Sequence, residues 1–218
     1  MKVIITGATG MVGEEVVHVC LADPSVEHVV IVNRSPANIA HPKLEEVLHK
    51  DFFDLSSIAD KLRGYDACLF CLGVSSVGMK EDKYTQLTYD LTLNFARTVV
   101  ALNPDMTFCY ISGAGTDSTE KGRNMWARVK GRTENDLLKM PFKRAYMFRP
   151  GYLHPSKGMQ HTNKLYAVFG ILYPILKGFL PQYVCTLKEL AQAMIKSVSL
   201  GYEKQVLDVP DIKALAVR

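Results

Sequence analysis

The chain has no strong excess of either charge. Its 218 residues carry 26 Lys and Arg against 22 Asp and Glu, a formal net charge of +4 spread along the sequence. Nucleic-acid binding asks for a denser basic patch, so no nucleic-acid partner is expected. There is also no apolar run of the roughly 20 residues that a membrane-spanning helix needs. The most apolar stretch, Leu165–Leu180, is broken by Gly170, Pro174, Lys177 and Gly178, and no stable membrane insertion is expected. Repeats, low-complexity tracts and linkers rich in Pro and Gly are absent before about residue 150. Met1-Lys2 leads directly into an apolar run with no secretory leader, which points to a cytoplasmic protein.

Cysteine is scarce and odd in number: Cys20, Cys68, Cys71, Cys109 and Cys185. Most lie inside apolar runs, as reduced core thiols do. Cys68 and Cys71 share a CxxC spacing within Ala-Cys-Leu-Phe-Cys-Leu, which reads as a buried strand. Residues three apart on a strand point to opposite faces, so the pair does not chelate one ion. No metal site is expected.

What is present is an ordinary globular composition, 48% hydrophobic and 22% charged, enough to bury one full core. The most informative stretch is Val3-Ile-Ile-Thr-Gly-Ala-Thr-Gly-Met-Val-Gly13. An apolar strand runs into Gly7, Gly10 and Gly13, and an amphipathic helix follows. Gly7 permits the tight turn, Gly10 lets the backbone approach a pyrophosphate, and Gly13 lets helix and strand pack closely. The helix N-terminus then offers free N–H donors to the anion. This arrangement binds a dinucleotide.

Strand-like runs recur at Val3–Thr6, Val29–Val32, Glu46–Lys50, Ala67–Leu72, Thr107–Ile111 and Ala145–Phe148. Helical periodicity fills the gaps at Val12–Leu21, Ser57–Leu62, Lys83–Leu102 and Asn124–Lys139. Alternating β and α with nearly continuous apolar strands predicts an α/β fold, a Rossmann-like doubly wound parallel sheet. Residues 1–155 form the dinucleotide-binding domain, and residues 156–218 a small C-terminal lid or substrate segment packed on it as one structural unit. Within that segment, Leu165–Leu180 reads as a lid over the substrate pocket. A subunit contact, with a second copy or a protein partner, and a membrane-surface element are the alternatives. A helix over Leu187–Leu200 and a short apolar stretch, Val206–Val209, finish the chain.

The opening Thr6-Gly-Ala-Thr-Gly-Met-Val-Gly13 resembles that of atypical and extended short-chain dehydrogenases/reductases. Further landmarks follow in the same order as in that superfamily: Leu72-Gly73, Tyr110-Ile-Ser-Gly-Ala-Gly115, Val129-Lys130-Gly131 and Phe148-Arg-Pro-Gly151. Together they look most like the NmrA-like and Tat-interacting-protein-like branch, over about residues 1–155. The resemblance implies cofactor contacts from Gly7, Thr9, Gly10, Met11, Val12 and Gly13. It puts Asp51 and Phe52 at the adenine and Leu72 and Gly73 at a ribose. Pro150 and the backbone after Gly151 would face the nicotinamide, and Lys130 its ribose.

The residue after the second strand separates NAD from NADP. A carboxylate there accepts from the ribose 2′-OH, whereas an arginine suits a 2′-phosphate. This chain has no carboxylate at that point but Val32-Asn33-Arg34-Ser35. Arg34 forms a charge-assisted pair and Ser35 adds a hydroxyl donor, so NADP(H) is preferred over NAD(H).

Reductases of the superfamily use a Ser, a Tyr and a Lys, with Tyr four residues before Lys. Ser112 and Lys130 match, but Trp126 holds the tyrosine position. Indole N–H is a donor only and relays no proton. Tyr152, after the Arg-Pro-Gly exit, is the better substitute hydroxyl, since Tyr110 lies inside a strand and reads as core. His154, in the same loop, reads as a plain loop residue, with an acid or base role as the alternative. Lys121, Arg123, Arg128 and Arg132 would attract an anion or form a solvated face. Two functional classes stay open. One is an NADP(H)-dependent oxidoreductase of unknown small-molecule substrate, with catalytic Ser112, Lys130 and Tyr152. The other is a non-catalytic redox sensor reporting to a partner. A sugar-nucleotide epimerase is the weakest variant, because its chemistry relies on the missing tyrosine.

Overall fold

The protein is described by a computed structural model, which covers residues 1–156, 173 and 176–218. The strands are β1 (Lys2–Thr6), β2 (His28–Asn33), β3 (Leu44–Leu48), β4 (Ala67–Phe70), β5 (Thr107–Ile111), β6 (Arg144–Arg149), β7 (Tyr152–His154), β8 (Val184–Thr186) and β9 (Val206–Asp208). The α-helices are α1 (Met11–Ala22), α2 (Glu81–Thr85), α3 (Leu91–Leu102), α4 (Met125–Leu138), α5 (Leu187–Ser199) and α6 (Val209–Ala216). A π-helical turn, Gln86–Asp90, joins α2 to α3, and Ser56–Leu62 is 3-10 rather than α.

Seven strands form one parallel sheet in the order β3-β2-β1-β4-β5-β6-β9. β1 sits between β2 and β4, with Val3 opposite both Val29 and Ala67, and Thr6 opposite both Val32 and Phe70. The order reverses direction between β1 and β4, and a crevice opens at the carboxyl ends of these strands. The period-two alternation of each strand divides the core. Val3, Ile5, Ile31 and Leu69 face the layer of α1, α5 and α6, where Val16, Val17, Leu190 and Met194 meet them. Ile4, Val30, Cys68 and Phe70 face the opposite layer, filled by Leu62, Phe95, Val99 and Leu137. On that side Phe70 lies 5.5 Å from Phe95 and 5.9 Å from Phe108, a ladder of rings beneath the crevice. Full burial of each such ring contributes about 1.5–3 kcal/mol.

The α/β parallel architecture is as the sequence predicts, and several boundaries differ for local reasons. β3 runs over Leu44–Leu48 rather than residues 46–50, at the sheet edge, where exposed Glu45, Glu46 and Leu48 blur its alternation. β4 stops at Phe70, so Cys71 and Leu72 leave the sheet and pass over Gly7, where an added Cβ would lie 2.8 Å from Leu72 N. Val206–Asp208 is a sheet strand, paired with β6 through Met147 opposite Val206. With α5 and α6, it makes residues 187–218 part of the sheet and its helical layer, while β8 pairs with β7 in a separate two-stranded sheet. α5 begins with a capping box: Thr186 Oγ1 accepts from Glu189 N at 3.0 Å, and Glu189 Oε2 accepts from Thr186 N at 2.7 Å. The lid expectation for Leu165–Leu180 falls largely outside the described residues. All five cysteines are free thiols, and Cys68 and Cys71 pack toward opposite layers.

Candidate functional site

The glycine turn is built from the backbone outward. Gly7 has φ +73°, a conformation open to glycine, and its carbonyl accepts from Gly10 N at 3.0 Å. A Cβ on Gly13 would come within 2.1 Å of that same carbonyl, so α1 packs this close only because residue 13 has no side chain. Asn33, the last residue of β2, accepts from Ala8 N through Oδ1 at 3.1 Å and donates to Glu46 Oε1 at 3.3 Å. It clamps the turn from the neighbouring strand. The only sequence signal for Asn33 is a polar residue ending an otherwise apolar strand.

Three adjoining hollows form one groove across the switch point. The first is lined by Arg34, Lys50, Asp51, Phe52, Leu72 and Gly73, among others. The second lies over the turn, with Gly7, Thr9, Gly10, Asn33, Arg34 and Gly73 on its walls. The third, about 610 Å³, runs past Gly10, Met11, Val12, Gly73 and Ile111 to Lys130. Leu72 and Gly73 belong to all three. A dinucleotide fits this groove on direct grounds. Gly10, the residue that caps the N-terminus of α1, lines both the second and the third hollow, and an added Cβ there would already lie 3.4 Å from the Gly7 carbonyl, so the backbone is bare where the anion would sit. Ser35 and Pro150 lie outside these walls; the Pro150 carbonyl accepts from Ala114 N at 2.8 Å. Gly13 acts through packing, and Phe52, almost wholly buried, stacks on Phe95 at 5.9 Å beneath the first hollow.

At the far end, Lys130 donates to the Ser112 carbonyl and lies 3.5 Å from that of Ile111. Burial pushes its ammonium down to about 8, against the raising influence of Glu134. The Ser112 hydroxyl is buried and donates to Glu134 Oε1 at 2.5 Å. Glu134, itself 1% exposed, also accepts a bifurcated hydrogen bond from Arg149 Nε, at 3.0 Å to Oε1 and 3.2 Å to Oε2, and one from Arg149 Nη2. Arg149 reaches on to Ser118 Oγ at 2.5 Å. Ser112 and Lys130 are thus brought together, with the serine hydroxyl held by the buried carboxylate. Sequence reasoning passed over Glu134, one helical turn beyond Lys130; the spacing carries a signal only once Ser112 and Arg149 are known to lie beside it.

Trp126 is partly buried against the Ser112–Gly115 loop, where a Cβ on Gly115 (φ +88°) would lie 3.4 Å from the indole. Tyr110 is buried, and burial drives its phenol far above the ordinary range. Tyr152 stands on β7, outside the groove walls, with His154 two residues on. The His154 ring stacks on Tyr173 at 3.8 Å, and burial lowers its pKa. Of the basic cluster, Arg128 pairs with Glu81 at 2.6 Å, and Arg132 lies 4.1 Å over the Tyr89 ring. Among the described residues, no group of three His, Cys, Asp or Glu is placed to hold a metal, and no helix is long and apolar enough to cross a membrane.

Comparison with known proteins adds the family. A family model described as the NAD dependent epimerase/dehydratase family matches residues 3–121. Protein FMP52-1, mitochondrial, of Scheffersomyces stipitis is 24% identical over 224 residues, covering 100% of this chain and 96% of that protein. Protein HTATIP2 of Rattus norvegicus is 26% identical over 154 residues, covering 70% of this chain and 62% of its own length. Among solved structures, uronate dehydrogenase from Agrobacterium tumefaciens is similar with a TM-score of 0.69 at 16% identity, over 94% of this chain and 75% of that one. That last likeness is one of fold. The cytoplasmic expectation is corrected by these relatives, since FMP52 proteins from several organisms are named mitochondrial. It rested on the absence of a secretory leader, and that absence separates secreted proteins from the rest without choosing among the other compartments.

Proposed function

Because the chain belongs to the NAD dependent epimerase/dehydratase family, within the atypical short-chain dehydrogenases/reductases, we propose that it is an NADP(H)-dependent oxidoreductase acting on a small carbonyl substrate. The observation that carries this reading is the continuous groove with Arg34 at one end and Lys130 at the other. Arg34 reads the 2′-phosphate, and the turn of Gly7, Thr9 and Gly10 with the start of α1 receives the pyrophosphate. When bound, the nicotinamide supplies or accepts the hydride.

The proton is the protein's task, and Trp126 does not perform it. Lys130 is the donor. Its ammonium has three N–H bonds, of which the Ser112 and Ile111 carbonyls engage two, leaving the third for a substrate oxygen in the hollow it lines. A pKa near 8 suits proton transfer close to neutrality. Ser112 has one hydroxyl proton, and turning it to substrate means giving up a bond to a buried carboxylate, worth about 1.5–3 kcal/mol. Ser112 therefore fixes the carbonyl that holds Lys130, and Tyr152 is the alternative proton source.

A second reading is favoured by the same two residues. With Trp126 in the tyrosine position and Ser112 tied to Glu134, the fold binds the dinucleotide without turnover and reports its redox state to a protein partner. Calorimetric titration with NADPH and NADH, then NADPH oxidation over a panel of aldehydes, ketones and quinones, separates the two. The oxidoreductase reading expects tighter NADPH binding, lost in Arg34→Ala, and turnover that falls in Lys130→Met. Tight NADPH binding with no turnover across the panel leaves the sensor reading, and equal affinity for both cofactors removes Arg34 from the site.

A further inference from the structure

β2 and β3 run parallel with Asn33 opposite Leu48, so Arg34 leaves β2 at the level of His49 and Lys50 follows one residue further along the neighbouring strand. Both line the first hollow, the adenosine end of the groove on the reading above. We infer that Lys50 is a second reader of the cofactor's 2′-phosphate, forming with Arg34 a two-cation clamp across the ends of β2 and β3. The inference rests on the NADP(H) reading and goes beyond it by assigning a specificity residue on a different strand.

The segment that carries Lys50 is fixed in place. His49 N donates to the Asn33 carbonyl at 2.8 Å, which ties the end of β3 to the end of β2. The His49 ring nitrogen Nε2 lies 2.6 Å from the Asp51 carbonyl and 2.7 Å from that of Asp54, closing the loop beneath it. Asp51, the acidic group on the same wall, accepts from Phe53 N at 2.9 Å and is turned into its own loop. Both cations are exposed, and among the described residues neither has an ion-pair partner. Two such cations beside an apolar floor of Phe52, Leu87 and Leu91 suit a base with a phosphate at its ribose edge. A plain 2′-hydroxyl gives the pair nothing to neutralise. Lysine serves here as a point charge beside the forked guanidinium.

The test is calorimetric, with the full chain, and uses adenosine 2′,5′-bisphosphate and AMP beside NADPH and NADH. These fragments report the adenosine end alone, with no contribution from turnover. Lys50→Gln is expected to weaken NADPH and the bisphosphate about tenfold and to leave NADH and AMP unchanged. Lys50→Arg is expected to retain the preference. The salt dependence of bisphosphate binding should flatten in Lys50→Gln, because one cation fewer is neutralised. If wild type prefers NADPH and Arg34→Ala loses that preference while Lys50→Gln keeps it, the clamp is overturned and the NADP(H) reading stands. If wild type binds NADPH and NADH alike, the reading on which the clamp rests is what fails. Lys50 is exposed at a loop, so the variant folds, and its circular dichroism spectrum checks this.

Discussion

At the scale of single residues, the end of the groove beside Lys130 is set by an indole, Trp126, and by a serine whose hydroxyl is held by a buried carboxylate, Ser112 on Glu134. Trp126 lies against Gly115 on α4, one helical turn before Lys130. Trp126→Tyr is smaller, keeps an aromatic face against Gly115 and restores a hydroxyl. We expect carbonyl reduction with NADPH to rise by at least tenfold, since a general acid contributes about 10²–10⁴ in rate and this one must act without a freely presented serine. Turnover that is high in wild type and unchanged in the variant would mean that Lys130 or Tyr152 already suffices. Residue types were legible here: Ser112, Lys130 and Trp126 could be read from the string. The direction of the Ser112 hydroxyl could not, because it depends on Glu134 and Arg149, which come from α4 and β6.

At the scale of elements, glycines decide how closely helices approach the site. On α4, a Cβ at Gly131 would lie 1.8 Å from the Asp117 carbonyl, so the helix carrying Lys130 touches the loop that follows β5. Gly131→Ala gains about 1 kcal/mol of helix propensity, yet it must push apart backbone that has no flexible end to yield. Overpacking of this kind costs about 1–3 kcal/mol, and here the upper end applies. A net loss near 2 kcal/mol lowers Tm by about 4–8 °C in a chain of this size. An unchanged or raised Tm in a thermal melt would show that the approach is looser. The long strands and helices were legible from period and from glycine punctuation. β7 and β8, each three residues long, carry too few positions for any period, and they form only by pairing Tyr152–His154 with Val184–Thr186. α6 did leave a signal, Pro210 in its first turn, which marks a helix start.

For the whole molecule, the groove joins parts that are remote in sequence: the turn after β1, Arg34 after β2, Lys50 after β3, Leu72 after β4 and Lys130 on α4. A ligand seated there contacts both layers of the sheet, and binding to the folded state alone raises its stability by mass action. At a free concentration of 100 times Kd the gain is about 2.7 kcal/mol. With 2–4 °C per kcal/mol, NADPH should lift Tm by about 5–10 °C, and NADH at the same concentration by less. Gly7→Ala supplies the control. Its φ of +73° is strained for alanine, and the new Cβ would meet Leu72 N at 2.8 Å, so the cradle distorts where the pyrophosphate should lie. That variant should melt lower without ligand and gain little from NADPH. A wild type whose Tm moves with neither cofactor would overturn dinucleotide binding itself. A Gly7→Ala protein that keeps the full shift would move the pyrophosphate away from the turn.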